Sequence, residues 1–112
     1  MSLVANHLEG RGITTVIIGS ARDIVEECGA PRLVFADHPL GNPLGRPDDA
    51  AGQRAVLELA LDVAASAIAP RTTVQAPSVW GDEAWRADYM AIRDREALAR
   101  AGEARRAARA RR

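Results

Sequence analysis

The run Ile13–Ile18 constrains the fold of this chain more than any other stretch. It reads Ile-Thr-Thr-Val-Ile-Ile, and its only polar residues are two threonines. A strand that is apolar on both faces is typical of a parallel sheet covered by helices. We therefore expect an α/β fold in which this run is the first strand, buried on both faces.

Further strands and helices alternate along the chain after this run. The hydrophobic pattern and the turn residues predict two more strands, over 32–36 and 71–75, and four helices, over 3–9, 21–28, 48–69 and from 82 onward. Ser20 is the predicted N-cap of the second helix. This βαβαβ order predicts a parallel sheet with right-handed crossovers.

The predicted organisation is one small domain with an appended helix. Residues 1–80 are expected to form a three-layer α/β unit, half of a Rossmann-like or flavodoxin-like fold. Residues 81–112 are expected to form a C-terminal helix with an Arg-rich, partly disordered tail. Related sheets usually have about four to six strands. The long helix also carries more apolar surface than three strands would cover, so we expect the chain to be part of a larger assembly.

Composition excludes several function classes. The 15 basic and 15 acidic side chains balance, so nothing attracts the chain generally to nucleic acid. The single cysteine, Cys28, excludes an internal disulfide framework and a cysteine-rich zinc site. No apolar run approaches the ~18 residues that span a bilayer. We expect a cytoplasmic protein with no metal and no membrane or nucleic-acid partner.

The loop that follows the second strand is the first candidate site. Ligands of open parallel sheets bind beyond the carboxyl ends of the strands, and this loop contains His38, a residue type able to exchange protons under physiological conditions. Glycines allow close backbone approach, an amide both donates and accepts, and a guanidinium binds anions. The predicted substrate-binding residues are Gly41, Asn42, Gly45 and Arg46. From physics alone, a ligand-contacting loop and a rigid structural turn both remain open.

Three blocks of this region resemble a known enzyme family. They are Gly12–Val16, Gly29–Arg32 and His38–Pro43, the last reading His-Pro-Leu-Gly-Asn-Pro. They are similar, in this order, to the carboxyl-terminal part of the glycine, sarcosine, betaine and D-proline reductase selenoprotein B family. The resemblance covers roughly residues 3–69, and the tail from Pro70 onward has no counterpart in it.

The resemblance implies a reductase subunit rather than a complete reductase. Members of the family reduce C–N bonds of small amino-acid-like substrates through a selenocysteine or cysteine that lies upstream of the matching segment. Cys28 falls before the second strand, outside that catalytic position, and one thiol cannot both attack and resolve. We expect an oxidoreductase heterodimer or larger hetero-oligomer in which a partner carries the Cys or Sec, this chain holds no cofactor, and His38 is its catalytic residue.

The partner interface is predicted near the C-terminus. Aromatic and apolar residues recur at helical spacing there, and Trp side chains are enriched at interfaces; the predicted contacts are Trp80, Trp85, Tyr89 and Ile92. Whether the chain itself catalyses anything stays open. Two alternatives also remain: a stand-alone module that binds a small anion or an amino acid, and a homo-oligomeric scaffold.

Overall fold

Strands and helices alternate along the chain in a computed structural model that describes residues 1–88, 96, 99, 100, 103, 106 and 107. The elements are α1 (Ser2–Glu9), β1 (Ile17–Gly19), α2 (Arg22–Glu27), β2 (Arg32–Phe35), α3 (Ala50–Ser66), β3 (Thr72–Gln75) and α4 (Ala84–Asp88). The three strands form one parallel sheet in the order β1-β2-β3. The predicted α/β class is therefore confirmed at the level of a small domain with a three-stranded parallel sheet.

Helix α3 packs on one face of the sheet and forms the main core with it. The strand register places Ile18, Val34 and Val74 side by side on that face. Buried positions recur along α3 at spacings of three and four residues, so one stripe of the helix faces the strands. The buried members of this core are Val34, Ala36, Val56, Ala60, Val63 and Ala76.

Helix α2 covers the opposite face. Successive strand residues alternate between faces, so Leu33 points away from the α3 side. A Cβ built on Gly19 would lie 3.8 Å from Leu33 and 3.9 Å from Val25 of α2, which places these side chains together. Thr73, in register with Leu33, donates a hydrogen bond of 2.8 Å to Glu26 of α2.

The hands of the two crossovers differ, which corrects the expectation that both are right-handed. Each connection moves one strand in the same direction across the sheet. Their helices lie on opposite faces, however, so the two crossovers have opposite hands. One of them departs from the usual right-handed preference.

The first strand is shorter and more exposed than predicted. It begins at Ile17 rather than Ile13, and its three residues are only partly buried. The reason lies at Thr15, whose backbone N–H donates to the Glu9 carboxylate instead of to a neighbouring strand. A side chain therefore takes the place of sheet pairing before Ile17, and the prediction of a strand buried on both faces was wrong.

Helix boundaries also differ from the predictions. Ser20 does not cap α2: the N-cap residue is Ala21, with no side-chain cap hydrogen bond. The long helix is confirmed in place, but it runs from Ala50 to Ser66, and the Asp49 side chain caps it by accepting from the Gly52 N–H at 3.0 Å. The last described helix starts at Ala84.

A polar network around Glu9 closes the amino-terminal edge of the sheet. The Glu9 carboxylate accepts from the backbone N–H of Thr15 at 2.5 Å, from the Thr15 hydroxyl at 2.9 Å and from Arg32 at 2.6 Å. The Thr15 backbone donor, helped by the Thr15 hydroxyl and by Arg32, holds the pKa of Glu9 below its ordinary value, although desolvation opposes this. The network ties α1 to the start of β2.

Part of the apolar surface is left uncovered by the described residues. Leu57 and Leu61 of α3 and Ile68 beyond it are exposed. In the described part of the chain, the outer edges of β1 and β3 pair with no further strand. No described helix has the length and the apolar character needed to cross a membrane.

Candidate functional site

An open cleft of about 580 Å³ lies where β1 and β2 end. Ser20 directly follows β1, and Asp37 and His38 come shortly after β2, so the parallel strands deliver these residues to one edge. Side chains of α2 form one wall, and Trp85 of α4 contributes to another. This is the edge at which open parallel sheets bind ligands.

His38, the predicted catalytic residue, lies in the wall of this cleft. It is 3% exposed. Its Nε2 lies 3.1 Å from the Ser78 hydroxyl, and its ring centroid is 5.7 Å from that of Trp80. Its Nδ1 is buried and has no hydrogen-bond partner among the described residues. When the Ser78 hydroxyl donates to Nε2, the neutral ring carries its proton on Nδ1.

Ser20 brings a second buried polar atom without a partner to the same cleft. Its Oγ makes no hydrogen bond with the described residues. Of the three such side-chain atoms in the described part of the chain, two belong to residues that line the cleft, and the third is Nε of Arg32 at the opposite edge. Burying an unsatisfied polar group costs roughly 1–3 kcal/mol, so this pair calls for a functional explanation.

Arg22 faces the cleft from α2. Its Nε donates to Glu26 Oε1 at 3.0 Å, and its guanidinium carbon lies 5.9 Å from the centre of the Phe35 ring. Glu26 also accepts from Thr73, and the hydrogen bonds from Thr73 and then Arg22 lower the pKa of this carboxyl, against a desolvation effect that raises it. Because only Nε of Arg22 is engaged by a described side chain, its terminal nitrogens remain available.

A second arginine links α4 to the cleft. Arg86 donates to the Asp37 and Glu83 carboxylates, and these two bonds, that to Asp37 first, raise the pKa of Arg86 above its ordinary value while desolvation lowers it. Trp85, its neighbour, lines the cleft and is partly buried. Asp37 therefore pairs with α4 and not with the adjacent His38.

The other residues predicted from the loop lie elsewhere. Leu40 is the loop residue that joins His38 in the cleft wall. Arg46 is turned the other way: it donates to the Trp80 carbonyl and sits 5.6 Å from the centre of the Trp80 ring. The predicted substrate-binding residues outside the cleft wall, whose role stays a prediction, are Gly41, Asn42, Gly45 and Arg46.

The predicted interface residues are divided by the structure. Trp80 packs on His38 and Arg46, and Trp85 lines the cleft. Tyr89 and Ile92 lie outside the described residues, as does most of the Arg-rich tail. A role for these four residues in binding a partner therefore remains a prediction.

Sequence reasoning missed Ser20 and Arg22 as site residues. The local pattern predicts Ser20 as a helix cap, although its position directly after an apolar strand is a signal for a site residue. Cys28 lies at the other edge of the sheet, in the turn before β2, where it is exposed and its carbonyl accepts from the Asn6 amide at 3.2 Å. It does not line the cleft.

Comparison with known proteins adds no identity to this geometry. No family model, no curated protein and no solved structure matches the chain. Among the described residues, no group of three or more His, Cys, Asp or Glu side chains is arranged to hold a metal ion. The function must therefore be argued from the cleft itself.

Proposed function

We propose that this chain is a subunit of a hetero-oligomeric, thiol- or selenol-dependent reductase and completes the active site beside a partner chain. In this proposal the three strands are half of a Rossmann-like or flavodoxin-like sheet that the partner extends. The proposal includes membership of the reductase family that the loop His38–Pro43 resembles.

The observation that carries the proposal is the position of His38. It is the first residue of the His-Pro-Leu-Gly-Asn-Pro block, and it is buried in the wall of the cleft with Nδ1 unpaired. A buried imidazole with one nitrogen held by Ser78 and the other unpaired among the described residues is suited to move a proton at the unpaired nitrogen.

The source of electrons would lie outside this chain. Its only cysteine is Cys28, at the opposite edge of the sheet from His38. A thiol or selenol supplied by the partner would enter the cleft from its open side. His38 would then exchange a proton at Nδ1 with the partner's group or with the substrate, while Ser78 holds the ring.

The uncovered surface supports the same proposal. Leu57, Leu61 and Ile68 are exposed apolar side chains. The unpaired edges of β1 and β3, within the described residues, offer places where a partner's strand could continue the sheet. A partner that covered these features would explain a chain whose core holds so few large side chains.

Co-purification with a cysteine- or selenocysteine-containing chain tests the proposal. The tagged full chain is expressed with the genes that neighbour it, and the complex is alkylated with iodoacetamide over a range of pH. We expect a stoichiometric partner with a reactive thiol or selenol whose alkylation profile shifts in His38→Gln and is unchanged in the control His7→Gln. Cys28→Ser should leave the reactive group intact.

Two results would contradict the proposal. One is a chain that stays monomeric and retains no thiol- or selenol-bearing partner under any co-expression. The other is a complex in which His38→Gln leaves the alkylation profile unchanged, since His38 would then lie away from the reacting group.

A further inference from the structure

We propose that Arg22, Ser20 and His38 together form a binding site for a small oxyanion, such as a carboxylate, in the cleft. His38 is predicted from the sequence as the catalytic residue, whereas Ser20 and Arg22 are not among the predicted site residues. The inference rests on the proposed function in one respect, because it names what the shared cleft would hold. The binding itself needs this chain alone.

The Arg22 guanidinium is oriented for a second partner. Glu26 accepts from its Nε at 3.0 Å, and Glu26 is in turn held by Thr73 at 2.8 Å. The Phe35 ring lies 5.9 Å from the guanidinium carbon. These contacts hold the half-exposed side chain beside the cleft, while its terminal N–H donors bind no described side chain. Two such parallel donors match the two oxygens of a carboxylate.

Ser20 and His38 supply the remaining hydrogen bonds. Both line the cleft, and both have a buried polar atom with no partner among the described residues. The Ser20 hydroxyl donates, and Nδ1 of His38 donates when Ser78 serves Nε2. An acceptor-rich ligand would satisfy both atoms at once and remove the cost of burying them unpaired.

The acidic side chains of the wall do not oppose this ligand strongly. Glu26 is engaged by Arg22 and Thr73, and Asp37 is engaged by Arg86. Asp23, which also lines the cleft, is exposed to solvent, where salt screens its charge. The free donors, rather than net charge, therefore determine what the site accepts.

Titration with acetate and with inorganic phosphate shows whether the site binds a carboxylate or a phosphate. Each is titrated into the full chain at constant ionic strength, with chloride as the reference salt, while the imidazole resonances are followed by NMR. The chain has only two histidines, so exposed His7 is an internal control for His38. We expect saturable binding in the millimolar range, with a shift at Nδ1 of His38 and none at His7.

Arg22→Lys is the decisive variant, because it keeps the positive charge and loses the planar fork. We expect it to weaken acetate binding about tenfold. Arg54→Lys is the matched control: Arg54 donates through Nε to Glu58 at 2.9 Å, one turn along α3, as Arg22 does to Glu26 on α2. It should leave binding unchanged. An unaltered far-ultraviolet circular dichroism spectrum shows that each variant is folded.

The outcomes separate cleanly. If phosphate binds and acetate does not, the result supports an oxyanion site and indicates a phosphate-bearing ligand. No movement of the His38 resonances up to about 100 mM of either anion, or equal weakening by Arg22→Lys and Arg54→Lys, overturns the inference. If acetate binds and co-expression yields no thiol- or selenol-bearing partner, only the proposed function is refuted. If such a partner is found and neither anion binds, only this site is refuted.

Discussion

The two ends of the sheet use the same residue types to opposite effect. At the amino-terminal edge, Arg32 donates through a terminal nitrogen to Glu9, which two donors of Thr15 also satisfy. At the carboxyl edge, Arg22 donates through Nε to Glu26, and its terminal nitrogens bind no described side chain. The first arrangement closes on itself, while the second leaves donors directed at a cleft.

This contrast distinguishes an edge whose polar groups are satisfied from an edge where some are left unpaired among the described residues. Closed networks fix elements relative to one another, and here the Glu9 network joins α1 to β2. Open networks retain polar groups for something that arrives later, at a cost in stability. The unpaired atoms of Ser20 and His38 at the carboxyl edge fit this second description. The difference between the edges can be tested by substitution.

Removing a core side chain from the middle strand, which both edges share, should destabilise the two edges together. Leu33 lies in β2 between the two edges and is 2% exposed, so Leu33→Ala should lower the free energy of unfolding by about 2–5 kcal/mol. Leu57→Ala, at a position 48% exposed on α3, is the matched control and should change it by less than about 0.5 kcal/mol. Urea unfolding followed by circular dichroism measures both. Similar losses for the two variants would contradict the packing described.

Acid should weaken the amino-terminal edge first. The pKa of Glu9 is lowered in the folded chain, so its contribution to stability is present above about pH 4.5, its ordinary value, and is lost as the pH falls through the folded value. Glu9→Gln should therefore lower the melting temperature near neutral pH and flatten its decline in acid. Glu26→Gln, at the more exposed carboxyl edge, should do the same to a smaller extent. Equal effects would show that the two networks do not differ.

Two serines, Ser78 beside His38 and Ser20 in the cleft wall, should change the free energy of unfolding with opposite signs when each is replaced by alanine. Ser78→Ala removes the hydrogen-bond partner of a buried imidazole and should cost about 1 kcal/mol of unfolding free energy. Ser20→Ala removes a buried hydroxyl that has no described partner and should stabilise the free chain by up to about 1 kcal/mol, because the unpaired group is gone. Thermal unfolding of both variants without added anion provides the measurement. A destabilised Ser20→Ala would mean that this hydroxyl is already satisfied.

Sequence reasoning located the elements better than their ends. The apolar runs and the turn residues predicted the order of the three strands and of the helices that separate them. It missed the late start of β1, because that start depends on Glu9, the last residue of α1, whose carboxylate accepts from Thr15 six residues further along the chain. Likewise, the local pattern predicts Ser20 as the N-cap of α2, but the chain enters the helix one residue later, so Ala21 is the N-cap.

The candidate site was only partly predictable for the same reason. His38 was found because it directly follows an apolar strand in a dense run of turn residues. Ser20 and Arg22 lie where β1 leads into α2, and nothing in the local pattern says that the parallel pairing of β1 with β2 brings this junction and the His38 loop to one edge. Arg46 was the better local candidate, yet the Trp80 carbonyl and ring occupy it.

From the sequence alone follows the alternation of apolar strands and amphipathic helices, since this depends on hydrophobic periodicity and on breakers such as Pro31 and Pro70. The tertiary structure decided which polar groups are satisfied and which are left open. Hydrogen-bond partners such as Glu9 with Arg32, or Ser78 with His38, lie 23 and 40 residues apart. Pairings at that separation depend on how the helices cross the sheet, which is set by the packing of the whole domain.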